Sequence, residues 1–231
     1  MKPNILIVED DSEINDLLKK ILACEDYEIH QAYSGTEALL CLKNISPDLI
    51  LLDLMLPGMS GEEFLAQIRE KQQCTTPVLV LSAKNALEDK VALLCLGADD
   101  YITKPFEPKE VTARVLSALR RSHFNRTEHV AETLVYKNVK LYPDLRKVTV
   151  LEKELSLTVR EYDILFLLIQ TPQKVYSREM LYESVWQDGY YGTDHTVNVH
   201  ISNLRKKLKE ADPGEEYIQS VYGIGFRLAK S

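Results

Sequence analysis

Acidic, hydroxyl and basic side chains each follow a short apolar run in the first half of the sequence: Glu9 and Asp10, Asp53, Ser82 and Lys104. Crowded carboxylates repel one another, which raises some of their pKa values unless a cation compensates. Oxygen-only ligands suit Mg²⁺, which binds through a few carboxylates and keeps several waters. Such an ion would neutralise an incoming phosphoryl group and let a carboxylate act as nucleophile. The residue types therefore predict magnesium-dependent phosphoryl transfer, if the fold brings them together.

The apolar runs alternate with patterns of helical spacing, which predicts an α/β domain. The predicted strands are Asn4–Val8, Tyr27–Gln31, Asp48–Asp53, Pro77–Leu81 and Asp100–Thr103, and the predicted helices are 12–24, 34–44, 60–72, 85–96 and 107–121. Consecutive βα units give a flavodoxin-like, doubly wound parallel sheet in the order 2-1-3-4-5. Ligands bind at the carboxyl ends of the strands in such folds, so we expect the acidic residues, the hydroxyl and the lysine to meet there.

A chain of 231 residues favours two modest domains over one large one. We expect domains at 1–121 and 132–231, joined by a polar linker at 122–131. No stretch approaches the roughly 18 apolar residues of a membrane span, and the N-terminus is too acidic for a signal peptide. We therefore expect a cytoplasmic protein. The cysteines fit neither a C-x-x-C pair nor a zinc set and are predicted to be reduced packing residues: Cys24, Cys41, Cys74 and Cys95.

Charge is distributed unevenly between the two halves. Residues 1–121 carry 20 acidic against 13 basic side chains, a difference of 7 that accounts for the whole net charge of −7. The second half is neutral, so any affinity for nucleic acid must come from local clustering. The run Arg205–Lys209 is the obvious cluster.

The second half predicts an α+β winged helix-turn-helix domain. Its predicted strands are Thr133–Lys137, Asn138–Tyr142, Lys147–Leu151 and Glu154–Leu157, which form an N-terminal antiparallel sheet; helices follow at 158–170, 177–187 and 194–210, and a hairpin at Ile218–Val221 and Gly225–Ala229. Two helices, a turn and a Gly-rich hairpin make the winged arrangement used to read DNA.

The last predicted helix has an apolar stripe and a polar face. Val197, Ile201, Leu204 and Leu208 fall at i, i+4, i+7 and i+11, so this stripe must face the core. The opposite face presents groups able to contact bases: His195, Val199, Ser202, Asn203 and Lys206. Arg205, Lys207 and Lys209 flank that face where phosphates would lie.

Three segments resemble the receiver domain of two-component response regulators over its full length: Ile5–Asp11, Asp53–Gly61 and Gly97–Phe106. The resemblance implies that a sensor histidine kinase phosphorylates Asp53. It also implies Mg²⁺ as the cofactor, held by these groups: Asp10, Asp53, the backbone carbonyl of Met55 and, through water, Glu9. By the same resemblance Lys104 pairs with the phosphoryl oxygens, and Ser82 and Tyr101 act as the switch that converts phosphorylation into a surface change.

The second half is similar to the effector domain of the OmpR/PhoB family in four segments: Leu157–Tyr162, Ser177–Leu181, Thr196–Leu208 and Gly223–Leu228. The resemblance implies a transcription regulator that binds double-stranded DNA, on direct-repeat sites, with Gln187–Asp194 as a loop that can contact RNA polymerase. It completes the predicted DNA contacts with Thr196, Asn198, His200 and, at the wing tip, Tyr222. Family members often carry arginines where this chain has Ser202, Asn203 and Tyr222, which predicts weak binding by one copy and a greater need for paired binding.

The family also predicts a homodimer of phosphorylated receivers through the surface at 85–121. The charge pairs expected across its two-fold axis are Lys90 with Glu110 and Asp100 with Arg114, each occurring twice. Asp99 also belongs to the predicted interface, but Leu116 stands at a basic position of the family, so Asp99 is expected to lack its partner.

Two other functions remain open on the residues alone. A phosphatase of the same fold would turn over an aspartyl phosphate, but it would need a second acid near the nucleophile, and Met55 stands at the nearby position. A constitutive DNA-binding protein would have a degenerate receiver, against which the complete set of Asp10, Asp53, Ser82 and Lys104 argues. We therefore expect a regulator that acts on no phosphoryl group except its own.

Overall fold

The computed structural model describes residues 2–23, 25–83, 87–123, 133–186 and 195–229. The chain divides into an N-terminal unit, Met1–Ser122, and a C-terminal unit, His123–Ser231. Cys24, most of the predicted linker and the predicted polymerase-contacting loop Gln187–Asp194 lie outside the described residues. No helix within the described ranges is long and apolar enough to cross a membrane.

Strands and helices alternate through the N-terminal unit. The strands are β1 (Asn4–Val8), β2 (Glu28–Ala32), β3 (Leu49–Asp53), β4 (Val78–Ser82) and β5 (Asp100–Thr103). The helices are α1 (Ser12–Leu22), α2 (Gly35–Cys41), α3 (Gly61–Ala66), α4 (Leu87–Cys95) and α5 (Pro108–His123), with a π-helical turn at Gln67–Lys71. Neighbouring strands are parallel in the order β2-β1-β3-β4-β5, which confirms the predicted flavodoxin-like sheet.

Side chains on β1 show how the sheet is covered on both faces. Ile5 and Ile7 pack with α1 and α5, whereas Leu6 and Val8 pack with α2, α3 and α4. All four side chains are completely buried. Successive residues of a strand point to opposite faces, so a strand covered on both sides needs a continuous apolar run. This packing fixes the carboxyl ends of β1, β3, β4 and β5 along one edge.

In its described residues, the C-terminal unit has a four-stranded antiparallel sheet, three α-helices, a 3₁₀ turn at Pro143–Leu145 and a terminal hairpin. Its strands are β6 (Leu134–Tyr136), β7 (Val139–Tyr142), β8 (Lys147–Val150), β9 (Lys153–Glu154), β10 (Ile218–Val221) and β11 (Gly225–Leu228). Its helices are α6 (Val159–Gln170), α7 (Arg178–Trp186) and α8 (His195–Ala211). The first four strands pair in order, and β10 pairs with β11, as a winged helix requires.

The predicted strand at Glu154–Leu157 is wrong. The observed strand is the two-residue β9, because Leu151 and Glu152 make a tight turn in which both residues have positive φ, 49° and 64°. Such a turn joins two strands directly, so pairing resumes already at Lys153, opposite Val150. The turn normally contains Asn or Gly, and this sequence offered neither.

The cysteine prediction holds only in part. Cys41 and Cys74 are partly buried, and burial is the main cause of the raised pKa of the Cys41 thiol. Cys95, in contrast, is exposed at the end of α4, so it is not a packing residue.

Candidate functional site

The carboxyl ends of β1 and β3 bring three carboxylates together. Glu9 and Asp10 follow β1, and Asp53 is the last residue of the neighbouring β3. Each offers a carboxylate oxygen, and these atoms all lie within 4.8 Å of one another. Glu9 and Asp53 are buried whereas Asp10 is exposed, so the cluster opens to solvent through Asp10.

Lys104, one residue beyond β5, reaches into this cluster. Its Nζ lies 2.7 Å from an oxygen of Glu9 and 2.7 Å from Oδ1 of Asp53. Burial acts to lower the pKa of Lys104, but the hydrogen bonds to Asp53 and Glu9 together outweigh it, and the pKa is raised. Burial raises the pKa of Glu9, and the hydrogen bond from Lys104 opposes this only in part. One ammonium thus faces three carboxylates, an excess of negative charge that a divalent cation would offset.

The donor set of the cluster fits Mg²⁺. Its ligand atoms are carboxylate oxygens, two of them on buried residues, and Mg²⁺ prefers such hard oxygen ligands. The backbone N–H of Met55 donates to Oδ2 of Asp53 at 2.9 Å, which fixes the orientation of that carboxylate. Asp11, beside the cluster, instead caps α1 by accepting hydrogen bonds from the backbone N–H groups of Glu13 and Ile14.

Ser82 lies on β4, the strand next to Asp53, and Tyr101 lies on β5, one strand further away. In the register of β3 and β4, Asp53 pairs with Leu81, so Ser82 lies one residue beyond the level of Asp53, at the carboxyl end of β4. Ser82 is buried, and Tyr101 on β5 is partly buried against the apolar cluster beneath α2, α3 and α4. The register thus places Ser82 at the predicted edge, whereas Tyr101 pairs with Val80 and lies level with Leu52, one residue before Asp53.

Gly61 allows α3 to begin against the end of β3. A Cβ atom at this position would lie 2.3 Å from the backbone oxygen of Asp53 and 2.6 Å from Cα of Leu54. Neither of those backbone atoms can move without moving the phosphoacceptor candidate itself. A capping box between Ser60 and Glu63 then starts the helix at this point. The close approach therefore requires glycine.

The predicted dimer residues on β5 and α5 pair within one chain. Arg114 donates to Asp100 at 2.7 Å and to Glu110 at 3.0 Å. Asp100 is buried, and the side chain of Lys90 on α4 lies outside what the structure describes. A dimer that used these charges would have to exchange partners that already exist.

The prediction that Asp99 lies in the dimer interface without a partner is wrong. Its carboxylate is 1% exposed, accepts a hydrogen bond from the backbone N–H of Val78, and lies 2.8 Å from the guanidinium of Arg69. The other Arg69 donors bind three backbone carbonyls in the turns before β4 and after α4. Asp99 is therefore an internal residue with a partner, whatever stands at Leu116, and we remove it from the interface.

The apolar stripe of α8 faces the core as its spacing predicts. Val197, Ile201, Leu204 and Leu208 are each at most 2% exposed and belong to one cluster with α6 and α7. This packing fixes which side of α8 is presented to solvent.

Three predicted DNA contacts on α8 need correction. Thr196, Val199 and His200 are 1%, 7% and 1% exposed, so their side chains have almost no surface to offer a base. Thr196 and His200 precede Leu204 by eight and four residues, which places them on the buried side and widens the stripe. The His200 ring packs against Trp186 with a centroid distance of 5.4 Å.

Two predicted phosphate contacts are engaged inside the protein. Arg205 donates to the backbone oxygen of Ile218 at 3.0 Å and to the hydroxyl of Ser220 at 2.9 Å, which ties α8 to β10. Burial lowers the pKa of Arg205. The Nζ of Lys207 lies 2.6 Å from the buried carboxylate of Glu161, the same carboxylate that completes the capping box of α6. Both cations position α8 within the domain.

The remaining predicted side chains on α8 are more accessible. Ser202 and Lys206 are exposed, and Asn203 is partly exposed. Asn198 is partly exposed and accepts a hydrogen bond from Arg178 on α7 at 2.9 Å. His195 begins α8, but its side chain lies outside what is described. The accessible face of α8 is therefore narrower than the sequence predicts.

The wing tip carries an exposed aromatic ring. Tyr222, in the turn between β10 and β11, is fully exposed, and Ile224 is 57% exposed. At the base of the wing, a Cβ on Gly225 would lie 1.9 Å from the backbone oxygen of Tyr176, where the chain forms an isolated bridge. Glycine is thus required for the wing to dock on the segment before α7.

Sequence reasoning missed the buried partners of these charges. Arg69 and Glu161 sit in helical patterns where charged residues normally face solvent, so periodicity gave no sign of their burial. Asn15 was also missed: it is a completely buried polar residue on α1, and the sequence did hold a sign of it, since Leu18 and Leu22 follow it at i+3 and i+7.

Comparisons with known proteins agree with this architecture. The response regulator receiver domain matches residues 5–116, and the C-terminal domain of transcriptional regulatory proteins matches residues 152–228. The chain is 41% identical over 229 residues to the transcriptional regulatory protein ResD of Bacillus subtilis, covering 97% of this chain and 95% of that protein. It is 38% identical to the regulatory protein VanR of Enterococcus faecium over the full length of both.

Solved structures show the same organisation. A mutant of RitR matches with a TM-score of 0.81 and 27% identity, covering 99% of this chain and 100% of that one. The response regulator DrrB of Thermotoga maritima, an OmpR/PhoB homologue, matches with a TM-score of 0.52 and 27% identity over the full length of both chains.

The parallel sheet with its acidic edge, followed by a winged helix, defines a two-component response regulator with a DNA-binding output domain. Within that class, the chain belongs to the OmpR/PhoB family. It is a transcription regulator rather than an enzyme in the usual sense.

Proposed function

We propose that Asp53 is the phosphoacceptor of this regulator and that a sensor histidine kinase is the donor. One observation carries the proposal: Asp53 is buried at the acidic edge with one carboxylate oxygen on Lys104 and the other on the Met55 N–H. Hydrogen bonds on both oxygens hold the carboxylate in a single orientation, and fixed orientation is a large part of catalysis of phosphoryl transfer.

In the proposed transfer, the phosphoryl group passes from a kinase histidine to Asp53. A carboxylate oxygen of Asp53 attacks phosphorus, the P–N bond to the kinase histidine breaks, and its electron pair stays on the imidazole nitrogen. The phosphoryl oxygens then lie within reach of the Lys104 ammonium, which binds Glu9 and Asp53 before the transfer. Mg²⁺, when bound, neutralises charge on the phosphoryl oxygens. Its ligands in this proposal are Asp10, Asp53, the Met55 carbonyl and, through water, Glu9.

The output of phosphorylation is a change of surface. We infer that Ser82 turns toward the new phosphoryl group and that Tyr101 moves inward behind it. Phosphorylated receivers then form a two-fold dimer through α4, β5 and α5, where Lys90 pairs with Glu110 of the other copy and the pair of Asp100 and Arg114 is exchanged between copies. Because Arg114 already binds both acids within one chain, this interface exchanges ion pairs and adds few.

The paired chains bind direct-repeat DNA sites in the cytoplasm, where the DNA is. On α8 we assign base contacts to Ser202 and Asn203, which are accessible residues of the predicted base-contacting face. Lys206 lies on the same face, but we now assign it a phosphate contact, because an exposed ammonium pairs readily with a phosphate. Tyr222 contacts DNA from the wing tip. The assignment further includes contacts by His195 and Asn198, and a contact of Gln187–Asp194 with RNA polymerase.

The proposal is tested by incubating the full chain with labelled acetyl phosphate and Mg²⁺. Asp53→Asn should incorporate no label, and chelation of Mg²⁺ should stop labelling of the parent. Asp11→Asn is the matched control, because asparagine keeps the cap on α1 and the residue lies outside the cluster. Equal labelling of the parent and Asp53→Asn would show that the phosphoacceptor is elsewhere.

A further inference from the structure

Asn15 is a polar side chain completely buried within α1. Its neighbours on the inner side of this helix, Leu18 and Leu22, are apolar and equally buried. A leucine would fill a similar volume at position 15 without any need for hydrogen-bond partners. A buried amide is tolerated only where its donors and acceptor are satisfied, so the partners of Asn15 show what the position does.

Both amide hydrogen bonds of Asn15 go to the main chain at the acidic edge. Its Nδ2 donates to the backbone oxygen of Glu9 at 2.8 Å and to that of Ala32 at 3.2 Å. Ala32 is the last residue of β2, and its oxygen also accepts the backbone N–H of Glu9 at 3.1 Å. The peptide groups on both sides of Glu9 are therefore held, one by β2 and the other by Asn15.

The second of these peptide groups joins Glu9 to Asp10. Because a trans peptide is planar, fixing the oxygen of Glu9 also fixes the direction of the Asp10 N–H and the position of the Asp10 Cα. Asp10 is the exposed member of the acidic cluster and has no strand around it. Asn15 thus restrains the backbone between Glu9 and Asp10, where strand pairing of β1 has already ended.

The acceptor side of the amide is held from β2. Nε2 of Gln31 donates to Oδ1 of Asn15 at 2.9 Å and to Asp16 at 3.1 Å. Oε1 of Gln31 in turn accepts from Lys19 at 2.8 Å. These bonds fix the rotation of the Asn15 amide, so that its nitrogen faces the backbone carbonyls.

We propose that Asn15 is a positioning residue for the phosphoryl-transfer site, which holds Glu9 and Asp10 ready for Mg²⁺ before the ion binds. This inference rests on the proposed function of the acidic cluster. Residues that orient metal ligands through a hydrogen bond contribute to affinity although they do not touch the ion. Without Asn15, Glu9 and Asp10 must become ordered when Mg²⁺ binds, and the free-energy cost of that ordering lowers the affinity for Mg²⁺.

The test compares Asn15→Leu with the parent in the full chain. Isothermal titration with MgCl₂ should give a dissociation constant about 10-fold to 100-fold higher for the variant, the range found for lost ligand-orienting hydrogen bonds. In the metal-free protein, hydrogen exchange at the backbone N–H groups of residues 10 and 11 should be faster. Asn44→Leu is the matched control: it removes an amide that donates to the backbone oxygen of Leu40 on α2, and both readouts should stay at parent values.

A purely structural role for Asn15 would change the unfolding transition but leave both readouts unchanged in the folded variant, and that result would overturn the inference. If Asn15→Leu does not fold, Gln31→Leu replaces it, because this change frees the Asn15 amide to rotate while keeping its donors. An unchanged Mg²⁺ affinity of Gln31→Leu would overturn the inference equally. A parent that binds no Mg²⁺ would instead overturn the proposed function, so the two failures are distinguishable.

Discussion

Lys206 and Lys207 are adjacent on α8 but have different surroundings, from which we predict different roles. Lys206 is exposed, whereas Lys207 lies 2.6 Å from the buried carboxylate of Glu161 on α6. We predict that Lys206→Met removes a DNA phosphate contact and that Lys207→Met weakens the domain. Methionine keeps the apolar stem of lysine and removes only its charge, so the two variants form a matched pair.

The two variants should change different quantities: Lys206→Met changes the salt dependence of DNA binding, and Lys207→Met changes the free energy of unfolding. Each phosphate contact contributes about 0.9 to the slope of log K against log salt, so its loss reduces the drop in affinity between about 50 and 200 mM salt by about 3.5-fold. Breaking a buried ion pair costs about 3–5 kcal/mol. The Lys207 side chain is 34% exposed, so solvent screening reduces this to about 1–2 kcal/mol of unfolding free energy. Lys206→Met should change stability by less than about 0.5 kcal/mol.

Two assays separate the variants. Titration of duplex DNA over a salt series gives the slope, and urea unfolding followed by fluorescence of Trp186, the sole tryptophan and a buried residue, gives the stability of the C-terminal unit. Lys207→Met should keep the parent slope and shift the unfolding midpoint. A flatter slope for Lys207→Met with an unchanged midpoint would mean that Lys207 contacts phosphate, and the reasoning from the Glu161 pair would be refuted.

Three further predictions address other parts of the chain. Gly61→Ala should slow labelling of Asp53 by acetyl phosphate, because the new Cβ would lie 2.3 Å from the Asp53 backbone oxygen; unchanged labelling would contradict this. Arg69→Met should destabilise the N-terminal unit by about 3–5 kcal/mol in urea unfolding followed by circular dichroism, since it removes the Arg69 countercharge of the buried Asp99 carboxylate, and adding Asp99→Asn should restore part of the loss. Burial raises the pKa of Tyr162 to about 12, so its contribution to stability is complete below the ordinary pKa near 10 and is lost as the pH rises toward 12; Tyr162→Phe should remove this part of the alkaline decline in melting temperature.

The sequence predicts the acidic edge well, because hydrophobic periodicity and strand order are enough to locate it. Apolar runs locate the strands, and the parallel order then places Asp53 between the ends of β1 and β4. No side-chain partner has to be known for that conclusion. The same holds for the core side of α8, which follows from the spacing of Val197, Ile201, Leu204 and Leu208.

The sequence predicts the fate of individual charges poorly, since their partners are distant along the chain. Lys207 and Glu161 are 46 residues apart, and Arg69 and Asp99 are 30 residues apart. A lysine on a helix flank has the same sequence pattern whether it meets a phosphate or a buried carboxylate. Arg205 shows the same ambiguity, because its acceptors lie on β10, which helical spacing cannot reveal.

The internal use of Arg205 and Lys207 bears on how phosphorylation would control this regulator. The C-terminal half has no excess of positive charge, and three basic side chains of its Arg205–Lys209 cluster, namely Arg205, Lys207 and Lys209, already bind protein groups. We therefore expect a single chain to neutralise few phosphates and to bind DNA weakly at physiological salt. Linking two such chains multiplies affinity without any new contact to DNA, by a factor of about 10²–10⁴. If one copy binds weakly, receiver dimerisation would be an effective switch, because joining two DNA-binding domains raises the occupancy of the DNA most when neither domain binds well alone.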